Sequence, residues 1–469
     1  MVAPSRSPAR EEQTMTLQWH PAQSGRAGTL VRQTRRHLLA VMAGAATACR
    51  LGTRPVAEPQ PAQQLTTREL ELTYMPWDQA RPDLLPTLEQ VLQRFTAKYP
   101  NLKVTPMPAG GTYIEKLKTL VAAGTPPDVA DTHQSQVRDL GPAGIVQDLT
   151  PFLKRDPPPK EHTGWEPYQW QGKQYGIPWG LQSSCIFYNK ALFNQAGLPY
   201  PPDDWTWEQF LEVARRLTKP APNEAEAQWG AADYGGRNYQ YMHALLATFG
   251  GGILNEQYTE AIVTSPASLQ GLEFRVGWVT TQRVTPLAGA LGNLSGMFFE
   301  GRLAMQILGS WFISNTKANW RGEQGGWDVA PLPKGPRRRA GLVHENGIGL
   351  PAGIRYPAES WALLKHLTSP EGLAPFARVG RIIPANRGVW EAALPPDGQP
   401  PRFKRAILDV WDEIAIVPPF VPRQPEAGQI WNEELDPVWR GERAPREGAL
   451  AFKRRMDALL QELKSQGLI

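Results

Sequence analysis

Flat aromatic faces and uncharged amides are the side chains here that could do chemistry, and that chemistry is binding. The 469 residues include 17 Trp. Trp311 follows Gly309-Ser310. An indole beside a Gly-Ser turn can lie flat against the C–H face of a polyol ring. Trp77 and Asp78 follow the alternating run 70–74 (LELTY). They therefore stand at the C-terminal edge of a strand, where open α/β sheets take ligands. A capping Trp and a helix N-cap Asp are the competing reading. Gln134 lies in a second edge loop, 132–135. Its amide can hydrogen-bond an uncharged ligand, whereas the neighbouring lone His133 reads as structural.

Turnover chemistry lacks its parts. The chain has no HExxH, no paired CxxC, no GxSxG and no Walker lysine. The 7 His are scattered, and the spacing suggests no His partner for Cys185. Asp203-Asp204 and Glu433-Glu434 are adjacent pairs, which do not face one glycosidic bond. No catalytic residue, metal or cofactor is expected.

Hydrophobic content of 41% and charged content of 20% suit a globular chain, and its length suits two lobes. The first lobe reads as strand (70–74), helix (85–99), strand (102–105), helix (113–121), strand (126–130). That β-α-β-α-β order implies a parallel sheet. At 174–193 (QYGIPWGLQSSCIFYNKALF) two strands separated by a short loop are expected, with Pro178 marking an edge or a crossing. This is the first of three passages between lobes. The others fall near 327–333 and 382–385. Lobes joined in this way are expected to share few direct contacts. Thr206 with Gln209 forms a capping box, so Trp205 and Trp207 read as structural. The run Arg337-Arg338-Arg339 reads as a solvated turn. Helices are expected over 403–414, 430–439 and 450–463.

The net charge is +5, and six Arg against two Glu in the first 48 residues supply most of it. The remainder is close to neutral and carries no footprint for nucleic acid. Arg35-Arg36 before a short apolar run resembles a twin-arginine export signal. The run is too short to span a bilayer. Small residues before Cys49 resemble a lipoprotein processing site, although Ala46 stands where Leu is usual. Met15 is an alternative start. With only Cys49 and Cys185, no disulfide framework is expected.

Several segments share one family likeness. They are 95–100 (FTAKYP), 116–117 with 123–129 (AGTPPDV), 175–178 (YGIP), 187–190 (FYNK), 301–305 (GRLAM), 309–311 (GSW) and 330–333 (APLP). In this order and spacing they resemble extracellular solute-binding proteins of sugar-importing ABC transporters, the group that includes maltodextrin-binding proteins. The resemblance implies an α/β, two-lobed periplasmic-binding-protein fold with three hinge crossings. It implies a sugar or oligosaccharide ligand, and ABC permease transmembrane subunits as partners. It places Tyr239 near the sugar and Trp311 and Trp431 on stacking positions, Trp431 opening a helix. Gln182 stands where an acidic sugar contact occurs in the maltodextrin-binding member, and Thr132 where that protein has an aromatic.

The expected organisation is 1–49 as export leader, 50–67 as tether, 68–181 with 331–384 as first lobe, and 182–330 with 385–469 as second. An exported monomer is expected, in the periplasm or lipid-anchored to the outer face of the cytoplasmic membrane. A surface carbohydrate sensor or adhesin, and import of glycerol phosphate or a polyamine, are the alternatives.

Overall fold

Alternation in Leu70–Met75 turns Leu72 and Tyr74 into the core and makes strand β1. The apolar stripe Leu88, Val91, Leu92 and Phe95 makes α1 (Leu85–Lys98), with a proline in its first turn. β2 (Leu102–Pro106), α2 (Tyr113–Ala122) and β3 (Val129–His133) follow. β1 pairs in parallel with β2 and β3, as the β-α-β-α-β order requires. A single turn of helix, α3 (Val137–Leu140), comes next. The structure, a computed structural model, describes residues 65–469 except 78–80, 110–112, 224–225, 234–237, 287–293, 324–325, 391–400, 403, 409–412, 414 and 417–419. Arg35, Arg36, Cys49 and Asp78 lie outside the described residues.

Strand β4 (Ile177–Asn189) is 13 residues long and buried throughout. Beyond it come α4 (Trp207–Leu217), β5 (Trp229–Asp233), α5 (Tyr239–Thr248), α6 (Pro266–Thr280), β6 (Leu303–Gly309), α7 (Phe312–Asn319) and β7 (Trp327–Ala330). The chain then returns through β8 (Gly341–Gly349), α8 (Pro357–Leu367), α9 (Pro370–Arg378) and β9 (Ile383–Pro384). It finishes in α10 (Gln424–Trp439) and α11 (Pro445–Ser465).

Two sheets share β4. The first-lobe order is β2-β1-β3-β8-β4, with β9 also on β4. In the second lobe β6 and β7 both pair with β4, and β5 extends β6. β4 pairs with β8 as far as Ser183 and with β6 from Ser184. The predicted loop inside 174–193 is therefore absent. The chain runs straight and changes partners. Pro178 is tolerated because a register shift at Asn346/Gly347 interrupts the ladder opposite it. Gly180 is needed here, since a Cβ would stand 2.4 Å from Ile382 Cγ2.

The capping box forms as read, with Thr206 Oγ1 accepting from Gln209 N–H and Gln209 Oε1 accepting from Thr206 N–H. Trp205 packs edge-on against Phe210, ring centres 5.6 Å apart. Two expectations change. Arg339 is buried rather than solvated, donating to the Asp203 carbonyl at 2.6 Å, while Arg337 and Arg338 are exposed. α10 starts six residues before the expected position, at Gln424-Pro425, because proline suits a first helical turn. Trp431 therefore lies in mid-helix.

Candidate functional site

The sheet edges that carry the candidate residues meet where β4 changes partners. Ser183 pairs with Val343 of β8, and Ser184 with Gly309 of β6. Ser310 N–H donates to the Ser183 carbonyl at 2.8 Å. Gln134, just past β3, donates from Nε2 to the Val343 carbonyl at 3.1 Å. Gln182 Nε2 lies 3.5 Å from the Arg381 carbonyl. Gln134, Gln182 and Trp311 thus converge on the crossing. Gln134 is wholly buried, and its Oε1 has no hydrogen-bond partner among the described residues. A buried amide oxygen in that condition is an acceptor still to be satisfied.

Trp311 is partly buried, and its ring lies against Gly309. A Cβ on Gly309 would stand 1.5 Å from the indole Cζ3. Only glycine lets the ring fold back over the strand end. On the other lobe Trp77 is 41% exposed, unusual for so large an apolar side chain. Its ring centre is 4.8 Å from Tyr113 and 6.2 Å from His133. Asp131 sets this group. It accepts from Trp77 N–H at 2.8 Å and from the Tyr74 hydroxyl at 2.6 Å. The Tyr113 hydroxyl donates to the Met75 and Asp131 carbonyls, both at 2.9 Å. Burial pushes the His133 ring down to about 4, so it is neutral near pH 7.

A cavity of about 320 Å³ lies between the lobes, reached along the chain from Gln134 through Ser135; Trp77, Gln134, Gln182 and Trp311 are not in its lining. The first lobe lines it with Glu115, Ser135, Gln136 and Asp139, and the second with Asn238, Tyr239, Gln424 and Asn432. Most of these groups are uncharged. The Gln424 amide donates to the Tyr239 hydroxyl, and burial raises the Tyr239 phenol well above its usual range. Trp431 stands behind Tyr239, ring centres 6.5 Å apart, and is itself 0% exposed. It packs at 5.1 Å against Phe452 in the second-lobe core. The structure thus brings Tyr239 to the cavity wall and sets Trp431 inside the core behind it.

The sequence reading did not single out Gln136, Asp139, Asn238, Gln424 or Asn432. Gln136 follows Gln134 in one loop, and the proline after Gln424 signals a helix start, so two were within reach. The lobes also touch directly. Asp139 accepts the Arg423 backbone N–H at 2.8 Å. Among the described residues no cluster of His, Cys, Asp and Glu could hold a metal, and no helix is long and apolar enough to cross a membrane.

A family model described as bacterial extracellular solute-binding protein matches residues 81–374. The maltodextrin-binding protein MdxE of Bacillus subtilis is 22% identical over 323 residues, covering 66% of this chain and 71% of that protein. An ABC substrate-binding protein from Listeria monocytogenes, solved in complex with cycloalternan, is similar with a TM-score of 0.73 at 23% identity, covering 83% of this chain and 99% of that one. Maltose-bound MalE3 of T. maritima gives 0.69 at 22%, covering 83% and 99%. These likenesses agree on a two-lobed α/β fold.

Proposed function

This chain belongs to the bacterial extracellular solute-binding proteins, and from that premise we propose that it captures a sugar of one or two rings between its lobes and passes it to the permease of an ABC importer. The family is one of carriers, so the ligand leaves chemically intact. The carrying observation is the cavity lining. Amides of Gln136, Asn238, Gln240, Gln424 and Asn432 outnumber the charged Glu115, Lys118 and Asp139. An amide both donates and accepts, which matches a hydroxyl. A volume of about 320 Å³ is at the small end for ligand pockets, which supports a short sugar over a long chain.

Trp77 and Trp311 supply the flat faces, Gln134 and Gln182 reach hydroxyls at the crossing, and Tyr239 forms part of the wall. A thermal-shift screen with glucose, maltose, maltotriose and mannobiose tests the reading. A bound sugar raises the melting temperature, and no response to any neutral saccharide would reject it.

Trp311→Ala is expected to weaken binding by roughly 1–3 kcal/mol, by analogy with a base stacked on an aromatic ring. Gly309→Ala should reproduce most of that loss with the indole still present, because the added methyl displaces the ring. Calorimetry on both variants checks this, and unchanged affinity in either contradicts the stacking role.

The leader carries the finer part of the proposal. Arg35 and Arg36 direct export, Cys49 bears the lipid, and 50–67 is the tether to the lobes. Metabolic labelling with a palmitate analogue should be lost in Cys49→Ala. Label that persists excludes the anchor.

A further inference from the structure

The lobes are joined beside the cavity through one turn of helix. Arg138 and Asp139, neighbours in α3 of the first lobe, each reach the second. The Arg138 guanidinium lies 4.5 Å from the ring centre of Trp170 on its own lobe and 4.6 Å from that of Tyr258 on the other. It also donates to the Phe420 carbonyl. Asp139 accepts the Arg423 N–H at 2.8 Å, at the start of α10. A weaker link runs from Gln171 Nε2 to the Gly467 carbonyl at 3.4 Å.

The backbone singles out the same places. Among the described residues four non-glycine residues have positive φ: Gln171 (48°), Tyr258 (55°), Arg283 (48°) and Arg423 (59°). Three of the four make or frame these lobe-to-lobe contacts. A residue with a Cβ is held in that region only where its surroundings over-determine it, and such sites gather at functional positions. The second-lobe halves are held from within their own lobe. Tyr258 N–H donates to the Asn255 carbonyl at 3.0 Å, and Arg423 bonds Glu426 at 2.7 Å and Glu462 at 2.6 Å. The receiving surface is therefore built before the lobes meet. Asp139 also lines the cavity, and the helix whose start it holds carries Gln424, Gly428 and Asn432 along the cavity wall.

We propose that Arg138 and Asp139 form a clasp that draws the lobes together without ligand, and so sets how tightly the cleft holds its solute. The effect on affinity rests on the cleft being the binding site. The closing step does not. A guanidinium between two rings, partly withdrawn from water, favours the closed form. Apparent affinity scales with the fraction of protein already closed.

Small-angle scattering on the ligand-free full chain tests the clasp. Arg138→Ala and Tyr258→Ala should raise the radius of gyration, while Arg138→Lys and Tyr258→Phe, which keeps the ring but loses the hydroxyl that bonds Arg138, should fall between. For whichever of maltose or mannobiose binds the parent, Kd should rise about tenfold in the two alanine variants, chiefly through faster release. If Arg138→Ala fails to fold by circular dichroism, Tyr258→Ala at a partly exposed turn carries the test. A radius of gyration unchanged in folded Tyr258→Ala, or a Tyr258→Phe that opens like Tyr258→Ala, overturns the clasp. If no sugar binds the parent, the carbohydrate reading fails while the scattering still decides on the clasp.

Discussion

Trp431→Ala should lower stability by about 3–5 kcal/mol, the range for emptying a buried aromatic site, while the folded fraction keeps its affinity for sugar to within a few fold. The ring is 0% exposed, set edge-on to Phe452 at 5.1 Å and near Trp439 at 6.4 Å. Nothing in that packing offers a face to a solute. The alternative, a ring that stacks on the ligand, makes the opposite forecast: affinity collapses and stability barely moves. Urea denaturation at constant m-value, run beside calorimetry, separates the two. Trp431→Phe keeps most of the volume and should recover most of the stability, which guards against reading misfolding as lost binding.

The second large effect lies in the same lobe. Asp233 and Arg275 form a two-armed ion pair, with both N···O distances 2.8 Å. They are only 8% and 3% exposed. Arg275 also lies over the Trp278 ring at 4.8 Å. Such a pair adds little over an apolar replacement, but breaking it strands a charge away from water. Asp233→Ala is therefore expected to cost about 3–5 kcal/mol. Asp233→Ala with Arg275→Met should be markedly more stable than Asp233→Ala alone. Chemical denaturation of the three proteins measures the coupling. A double variant no better than Asp233→Ala would mean that the charge is not what matters there.

Much of the fold was legible because it is locally encoded. The stripe Leu88, Val91, Leu92 and Phe95 specifies its helix without help from the rest of the chain. The Thr206–Gln209 box and the Trp205–Phe210 staple are likewise complete within six residues. What escaped depends on distant partners. Pro178 marks only an edge or a crossing until the register shows a bulge in β4 itself, with Trp179 the extra residue between Pro178 and Gly180. Arg339 reads as solvated until the Asp203 carbonyl, 136 positions away, accepts its hydrogen bond. The candidate site divides in the same way. Gln134 and Trp311 stand just past strand ends, which periodicity locates, whereas Gln182 lies inside the uninterrupted β4. Asp139, Gln424 and Arg138 become neighbours of the cleft only when the lobes are apposed. Trp431 could be placed on a helix from the sequence, but its burial against Phe452 depends on a partner 21 positions further along the chain.

One ladder serving both sheets has a consequence for biogenesis. Ser184 must wait for Gly309, and Ser183 for Val343, before either finds its mate. Until then a ribbon of thirteen mostly apolar residues has open edges on both sides. Neither half can set its central strand early. Assembly should be slow, nearly all-or-none, and exposed to sticking between nascent chains until late in synthesis.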